Sequence, residues 1–210
     1  VRGLRPDVRA FVLARLGPRI GDMVWDVESG DGSVAIECAR FGAAAVAVDR
    51  DHAVGERIKE SVRLHGVKVA LATGDVRSAA GHLPKPDAVF IGPGFTGRDG
   101  GDAVRACIGL DPGRLVAVAS ETDARTIAEV LADQGYTTGA VRLQATPLDL
   151  EGPLDRGDPP DPPEPEGDPV VVVWGDRDAR APGRRPAGGA RPVETTPALP
   201  GEPEESGIGA

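Results

Sequence analysis

Short apolar runs alternate with longer amphipathic segments along most of the chain. The runs are of strand length and rich in Val, Ile and Ala, whereas the segments between them repeat apolar residues at helical spacing. The predicted strands are Asp22–Val27, Ala44–Val48, Val67–Ala72, Asp87–Ile91, Arg114–Ala119, residues 136–148 and Val170–Trp174. The predicted helices are Pro6–Leu16, Ser33–Phe41, Ala53–His65, Val76–Gly81, one capped by Asp102 that ends at Gly109, and one capped by Thr122 or Asp123 that ends at Gly135.

This order of elements predicts an α/β fold. Each of the first five strands is followed by a helix, which is typical of a doubly wound, mostly parallel sheet. No helix separates the sixth strand from the seventh, so this last strand is expected to pair in the antiparallel direction. The sequence therefore predicts a seven-stranded, Rossmann-like sheet with an antiparallel last strand.

Two segments near the C-terminus have a different composition. Residues 149–169 contain seven prolines and eight acids, which predicts an extended loop rather than a helix or a buried strand. Residues 176–210 are rich in Gly, Pro, Arg and Glu, and we expect them to be disordered. The predicted organisation is one domain over residues 1–175, containing the loop, followed by this tail.

Charge and composition exclude several classes of function. A net charge of −9 argues against nucleic acid as a partner, because binding to phosphates needs clustered Lys and Arg. No apolar run is long enough to cross a membrane, and no secretory signal is evident, so we expect a cytoplasmic protein. Cys38 and Cys107 have no metal-ligand spacing, so no metal site is predicted.

Chemistry-bearing residues follow the first three predicted strands. Gly30-Asp31-Gly32 forms a turn between the first strand and its helix, where a ligand can approach the backbone closely. Asp49 ends the second strand, where a carboxylate can accept both hydroxyls of a ribose, and Gly74-Asp75 follows the third strand. Each signal alone is also explained by ordinary turns and helix caps. Together, their order and spacing favour a nucleotide-like ligand.

A dinucleotide is one alternative for this ligand. The sequence Gly30-Asp31-Gly32-Ser33-Val34-Ala35 satisfies the G-x-G-x-x-A form of the dinucleotide fingerprint. Against a dinucleotide stand Asp26 inside the strand, the extra Glu28-Ser29 before the first glycine and the predicted antiparallel strand pair. No Tyr-x-x-x-Lys proton relay occurs either.

The motifs resemble those of class I S-adenosylmethionine-dependent methyltransferases. Asp26–Gly32 follows the order Asp-x-Gly-x-Gly-x-Gly with Glu28 at the first glycine, and an acid after strand two and Gly-Asp after strand three complete the pattern. Within that class the chain is similar to the decarboxylating precorrin C15-methyltransferases of cobalamin biosynthesis over about residues 4–174. The matching stretches include Val24–Val27, Gly32–Glu37, Ala47–Asp51, Pro86–Gly92 and Leu110–Val116. Of these, Trp25-Asp26 and Gly32–Glu37 are more specific than the class-wide motif.

The resemblance implies a cofactor, a substrate and a site. The cofactor would be S-adenosylmethionine, and the substrate a precorrin-type tetrapyrrole that is methylated at C15 with loss of CO₂ from an acetate side chain. A homo-oligomer, a tetramer by resemblance, is also implied. The implied cofactor-binding residues are the turn around the methionine moiety, the ribose ligand, the adenine-flanking residues and a glycine beneath the sulfonium: Glu28, Ser29, Gly30, Asp31, Gly32, Asp49, Gly74, Asp75, Val76 and Gly92. No catalytic base is assigned.

Several residues on the ligand edge depart from the family pattern. Glu28 replaces the first glycine, which adds bulk and negative charge beside the expected position of the methionine carboxylate. A non-glycine residue is also disfavoured at positive φ. Pro93 lies in the glycine-rich loop after strand four. The alternative hypothesis is therefore a diverged, catalytically weak or inactive paralogue that serves as a binding or regulatory module. Replacing Glu28 with glycine is predicted to tighten the binding of S-adenosylmethionine.

Overall fold

The computed structural model describes residues 3–93, 98–146 and 166–177. Within these ranges, helices and strands alternate until the last two strands, which follow one another directly. The helices are α1 (Pro6–Leu16), α2 (Ser33–Arg40), α3 (His52–His65), α4 (Val76–Ala80), α5 (Arg98–Gly109) and α6 (Glu121–Asp133). The strands are β1 (Met23–Val27), β2 (Ala44–Asp49), β3 (Val69–Thr73), β4 (Ala88–Ile91), β5 (Arg114–Ala119), β6 (Thr137–Ala145) and β7 (Glu166–Asp176).

The seven described strands form one sheet in the order β3-β2-β1-β4-β5-β7-β6. Strands β1 to β5 pair in parallel, and β7 lies antiparallel between β5 and β6. The predicted doubly wound, mostly parallel sheet with an antiparallel last strand is thus confirmed. Its bounds agree with the predicted bounds to within three residues, except at the starts of α5 and β7.

Helices cover both faces of the sheet and bury two apolar clusters. On one face, α1, α2 and α3 contribute buried residues such as Val12, Ala35 and Ile58. On the other face, α4, α5 and α6 contribute residues such as Val104 and Leu131. Strands β1, β2, β4 and β5 are apolar along most of their length, because both of their faces are covered.

The predicted starts of α5 and α6 are wrong. Helix α5 begins at Arg98, so Asp102 does not cap it; its carboxylate lies 3.6 Å from the Arg105 guanidinium one turn further along. Helix α6 is capped by Ser120, whose Oγ accepts the Asp123 backbone N–H at 3.1 Å and donates to the Asp123 carboxylate at 2.7 Å. The Ser120 hydroxyl thus satisfies one backbone N–H of the first turn and is itself held by the Asp123 carboxylate.

Strand β7 begins four residues before the predicted position. Residues Glu166–Pro169 are predicted to lie in the extended loop, but they form the first part of β7. Glu166 pairs there with Ala145, the last residue of β6. Asp168 and Pro169 are exposed there, so the strand buries neither the charge nor the proline. The rest of the predicted loop, residues 149–165, and residues 178–210 of the predicted tail lie outside the described residues. The predicted start of the tail is wrong, because Asp176 ends β7 and pairs with Arg114 of β5.

Tyr136 links the start of β6 to the turn before β5. Its buried hydroxyl donates to the Pro112 carbonyl at 2.8 Å, and burial raises the pKa of this phenol. We expect Tyr136→Phe to lower the free energy of unfolding by about 1–2 kcal/mol, because it removes this bond and leaves the carbonyl without its donor. Urea denaturation measures the change. Thr126→Val, which removes an exposed hydroxyl, should stay within about 0.5 kcal/mol of wild type, and equal effects would contradict the role given to Tyr136.

Candidate cofactor site

The carboxyl ends of β1, β2 and β4 lie side by side at one edge of the sheet. Strand β1 pairs with β2 on one side and with β4 on the other, so the chain leaves the sheet in opposite directions from this point. Open parallel sheets bind ligands at such a switch point. The segments that follow the three strands here are the turn Glu28–Gly32, Arg50-Asp51 and Gly92-Pro93.

The turn after β1 has three residues in the left-handed region. Their φ angles are 55° for Glu28, 57° for Gly30 and 69° for Gly32. Gly32 must be a glycine for a second reason, because a Cβ there would lie 2.8 Å from Cγ1 of Ile58. Only Glu28 has a side chain in this conformation, which costs about 1 kcal/mol or more. The sequence-based concern about Glu28 therefore has a direct counterpart in the backbone.

Asp26 ties the end of β1 to the helix that follows this turn. It is fully buried, and its Oδ2 accepts the Ala35 backbone N–H at 2.9 Å, so β1 is tied to the first turn of α2. Its Oδ1 has no hydrogen-bond partner among the described residues. Burial raises the pKa of the Asp26 carboxyl well above its ordinary value, and the nearby Asp31 and Asp49 raise it further. Relative to the unfolded chain, the folded chain therefore favours the protonated form of Asp26.

This burial predicts a pH dependence of stability. The unfolded chain ionises Asp26 near pH 4, whereas the folded chain holds the proton to higher pH; the raised pKa therefore makes stability fall as pH rises above about 4. As pH rises above about 4, the free energy of unfolding of wild type should fall relative to that of Asp26→Asn. The difference should change by up to about 1.4 kcal/mol per pH unit. Urea titrations from pH 4 to pH 8 measure it. The exposed control Asp133→Asn should run parallel to wild type, and a parallel Asp26→Asn curve would contradict the prediction.

Asp49 holds the turn from the side. One carboxylate oxygen accepts the Gly30 backbone N–H at 3.2 Å, and the other accepts the Asp51 backbone N–H at 2.9 Å. Each oxygen has one described donor and so keeps acceptor capacity toward a ligand hydroxyl. Asp51 in turn caps α3, because its side chain accepts the Ala53 N–H at 2.8 Å. The end of β2 therefore sets the shape of the glycine turn as well as offering a carboxylate.

A cavity of about 170 Å³ opens between these segments. Six predicted residues line it: Glu28, Ser29, Gly30, Asp31, Asp49 and Gly92. Gly32 does not line it and instead packs against Ile58. The described lining includes four carboxylates and no basic side chain. Prediction missed several lining residues, among them Gly3, Leu4, Ser33, Val34, Asp51, Val54, Phe90 and Pro93.

Two hydroxyls at this cavity have no partner in the described part of the chain. Oγ of Ser29 and Oγ of Ser33 are both buried, and both residues line the cavity. Buried polar atoms are normally hydrogen-bonded, so this pair is suited to a polar ligand group. Ser33 also begins α2, where backbone N–H groups point toward the turn. Sequence gave a signal for Ser33, because it follows the second glycine directly.

The remaining predicted residues lie at a second cavity of about 220 Å³. Asp75 and Val76 line it together with Arg50, Arg77, Asp102, Ala103 and Ala106, whereas Gly74 does not. The Asp75 side chain accepts the Ser78 N–H at 2.8 Å, which caps α4 and lowers the pKa of this carboxyl. The structure thus separates the predicted adenine-flanking residues from the glycine turn.

The Glu28–Arg50 ion pair lies between the two cavities, because Glu28 lines the first and Arg50 lines the second. Oε1 of Glu28 lies 3.6 Å from Nε of Arg50, and the exposed fractions of the two side chains are 21% and 54%. Burial raises the pKa of the Glu28 carboxyl, Asp49 raises it further, and Arg50 lowers it. A ligand that reached from the glycine turn to Asp75 would have to displace this ion pair.

Within residues 3–93, 98–146 and 166–177, no three His, Cys, Asp or Glu side chains are grouped to hold a metal ion. None of the helices described above is long and apolar enough to cross a membrane.

The strand order and the turn define the Rossmann-like methyltransferase fold, in which an antiparallel β7 lies between β5 and β6. Among solved structures, precorrin 8W decarboxylase from Methanobacterium thermoautotrophicum superposes with a TM-score of 0.69 at 21% identity, covering 83% of this chain and 92% of that one. The C-terminal domain of precorrin-6Y C5,15-methyltransferase from Rhodobacter capsulatus gives 0.64 at 22% identity, covering 82% and 89%. These similarities confirm the fold.

The chain belongs to the precorrin methyltransferase domain family, whose model matches residues 4–148. It is also 35% identical over 125 residues to a precorrin-6Y C(5,15)-methyltransferase [decarboxylating] from Sinorhizobium sp.. That alignment covers 58% of this chain but only 30% of the relative's length. The predicted family is thereby confirmed.

Proposed function

We propose that this chain is an S-adenosylmethionine-dependent methyltransferase domain that acts on a precorrin-type tetrapyrrole. The reaction would be C15 methylation with loss of CO₂ from an acetate side chain, as the names of its relatives suggest. The observation that carries the proposal is the cavity at the ends of β1, β2 and β4, where six predicted cofactor residues meet. A cytoplasmic location, a homo-oligomer and the absence of nucleic acid from its partners stay predictions.

The residues at the first cavity fit the polar groups of the methionine moiety and the hydroxyls of the ribose. Ser29 and Ser33 offer two buried hydroxyls without partners, which suit the methionine carboxylate or ammonium. Asp49 keeps acceptor capacity for ribose hydroxyls. The side chain of Glu28 is the part that does not fit a ligand reaching on to Asp75 and Val76. The fit is therefore good at the turn and incomplete between the two cavities.

The charge of the first cavity favours a cationic ligand over a dinucleotide. Its described lining carries Glu28, Asp31, Asp49 and Asp51 and no basic side chain; Arg50, which pairs with Glu28, lines the second cavity instead. A pyrophosphate would be repelled by these carboxylates, whereas the sulfonium and ammonium groups of S-adenosylmethionine would be attracted. The antiparallel β7 also departs from the parallel strand order 3-2-1-4-5-6 of dinucleotide-binding sheets.

The chemistry asked of the protein is chiefly positioning. S-adenosylmethionine supplies an electrophilic methyl group on a sulfonium, and an electron-rich ring carbon is already a nucleophile. The turn Glu28–Gly32 and Asp49 would fix the orientation of the cofactor, and holding two reactants in line can supply much of the rate acceleration. No side chain at the cavity is assigned as a base.

Ligand-dependent thermal unfolding tests this proposal. S-adenosylmethionine or S-adenosylhomocysteine at saturating concentration should raise Tm by several degrees, because a ligand at 100 times its Kd stabilises the folded state by about 2.7 kcal/mol. NADH should give no shift. Asp49→Asn should reduce the shift, and the remote control Asp133→Asn should preserve it. A shift with NADH alone would support the dinucleotide hypothesis instead.

A second candidate function is a catalytically weak or inactive binding module. It is favoured by one observation, the strained and ion-paired Glu28 between the two cavities. This candidate predicts no thermal shift with wild type at millimolar S-adenosylmethionine, and recovery of a shift in Glu28→Gly. A shift already present in wild type would favour the active enzyme.

A further inference from the structure

Glu28 lies between two cavities that are each too small for a whole nucleoside ligand. Their volumes are about 170 Å³ and 220 Å³, below the roughly 300 Å³ at which ligand pockets usually begin. Glu28 and Asp49 line the first cavity, and Arg50, the next residue along the chain, lines the second. A ligand that spans both must contact the Glu28–Arg50 pair.

The two partners of this pair differ in their freedom to move. The Glu28 side chain is mostly buried and starts from a constrained backbone, whereas the Arg50 side chain is about half exposed. Their nearest N and O atoms are 3.6 Å apart, too far for a hydrogen bond. Because the pair has no hydrogen bond and the Arg50 side chain reaches solvent, Arg50 is the partner that moves aside for a ligand while the carboxylate stays in place.

When Arg50 leaves, Glu28 needs another positive charge. Its neighbours Asp31, Asp49 and Asp51 all carry carboxylates, and the first cavity has no basic side chain among its described lining. An uncompensated, partly buried carboxylate in this company is costly. A ligand that brings its own cation would repay this cost, and a neutral ligand would not.

We propose that Glu28 is a specificity-determining residue that exchanges Arg50 for the positive charge of the sulfonium, so that the cleft prefers S-adenosylmethionine to S-adenosylhomocysteine. This inference rests on the proposed function. S-adenosylhomocysteine carries a neutral thioether in place of the sulfonium, so it would offer Glu28 no positive charge. Arg50 would then return to Glu28, which would favour release of the product. The glycine found at this position in the methyltransferase motif carries no such charge.

Isothermal titration calorimetry with both ligands tests the exchange. Wild type should bind S-adenosylmethionine about tenfold more tightly than S-adenosylhomocysteine at low salt, since one partly screened charge interaction separates them. Glu28→Gln should bring this ratio to within about twofold while keeping a side chain of the same size. The matched control Glu56→Gln, an exposed residue of α3 paired with Lys59, should leave the ratio unchanged.

Two further variants make the result decisive. Arg50→Gln should preserve or increase the preference, because it removes the competitor for Glu28 without removing the carboxylate. Glu28→Ala replaces Glu28→Gln if the latter does not fold by circular dichroism, with the same expected ratio. An equal ratio in wild type and in the Glu28 variant that folds would overturn the inference and leave the proposed function standing. No binding of either ligand by any variant would overturn both.

Discussion

Replacing Gly92 with alanine should lower the free energy of unfolding by about 1–3 kcal/mol and impair the cofactor cavity. A Cβ at this position would overlap the carbonyl oxygen of Glu28, and it would also lie 3.3 Å from the Glu28 carbonyl carbon and 3.4 Å from the Val27 oxygen. All three are backbone atoms at the end of β1, so no side chain can rotate away. Either the turn or β4 must shift.

The expected shift would also break a hydrogen bond. The Gly92 N–H donates to the Val27 carbonyl at 2.8 Å, which continues the β1–β4 pairing past the end of β4. Because Gly92 and Glu28 both line the first cavity, a displaced turn should weaken S-adenosylmethionine binding by about tenfold or more, equivalent to about 1.4 kcal/mol. Denaturation and calorimetry measure the two effects separately.

Gly81→Ala is the matched control for Gly92→Ala. Gly81 has φ of −76°, and the nearest atom to a Cβ there is the Ser78 oxygen at 3.9 Å, so alanine fits without strain. This variant should be within about 0.5 kcal/mol of wild type or slightly more stable, because alanine restricts the unfolded chain. If Gly92→Ala matched Gly81→Ala in stability and in binding, the close packing of β1 against the Gly92 backbone would not matter to the site.

The sheet could be predicted because its signals are local. Buried strands such as Val24–Val27 and Ala88–Ile91 read as short apolar runs, and glycines at the helix ends, for example Gly17 and Gly66, adopt the left-handed conformation expected of a C-cap. Errors arose where a residue had two possible local roles. Asp102 could cap a helix or lie within one, and the local sequence does not distinguish the two roles.

The site could be predicted as a set of residues but not as a shape. Spacing along the chain placed Asp49 near the glycine turn, yet gave no sign that the carboxylate would accept the Gly30 N–H. Nor could it show that Asp75 and Val76 would line a separate cavity, since that depends on α5 packing beside α4. The pairing of Glu28 with Arg50 depends on the positive φ of Glu28 and on the register between β1 and β2.

Glu28 nonetheless stood out from sequence alone, because a motif specifies backbone conformation as well as side chains. A glycine is expected there for its positive φ, and the structure gives Glu28 this φ, 55°, with the side chain still in place. The fold therefore tolerates the backbone strain and retains the turn. The Glu28 side chain instead changes the free space and the charge of the cavity beside the turn, and these affect ligand binding more than folding.

Glu28→Gly should accordingly tighten S-adenosylmethionine binding by about tenfold or more, about 1.4 kcal/mol. Three effects contribute: the cleft is no longer crossed by a side chain, no ion pair with Arg50 has to be broken, and the turn can adopt its φ without strain. The affinity for S-adenosylhomocysteine should rise still further, since the charge that favoured the sulfonium is also removed. Calorimetry with both ligands measures these changes.

The stability of Glu28→Gly should stay within about 1 kcal/mol of wild type, because relief of strain is offset by the greater freedom of glycine in the unfolded chain. Asp111→Gly is the control, since Asp111, with φ of 59°, is the other non-glycine residue in the described ranges with positive φ, and it lines neither cavity. It changes the backbone in the same way and should leave both affinities unaltered. If wild type already binds at micromolar Kd and Glu28→Gly does not differ from it, Glu28 does not obstruct the cleft, and the hypothesis of an inactive paralogue loses its main support.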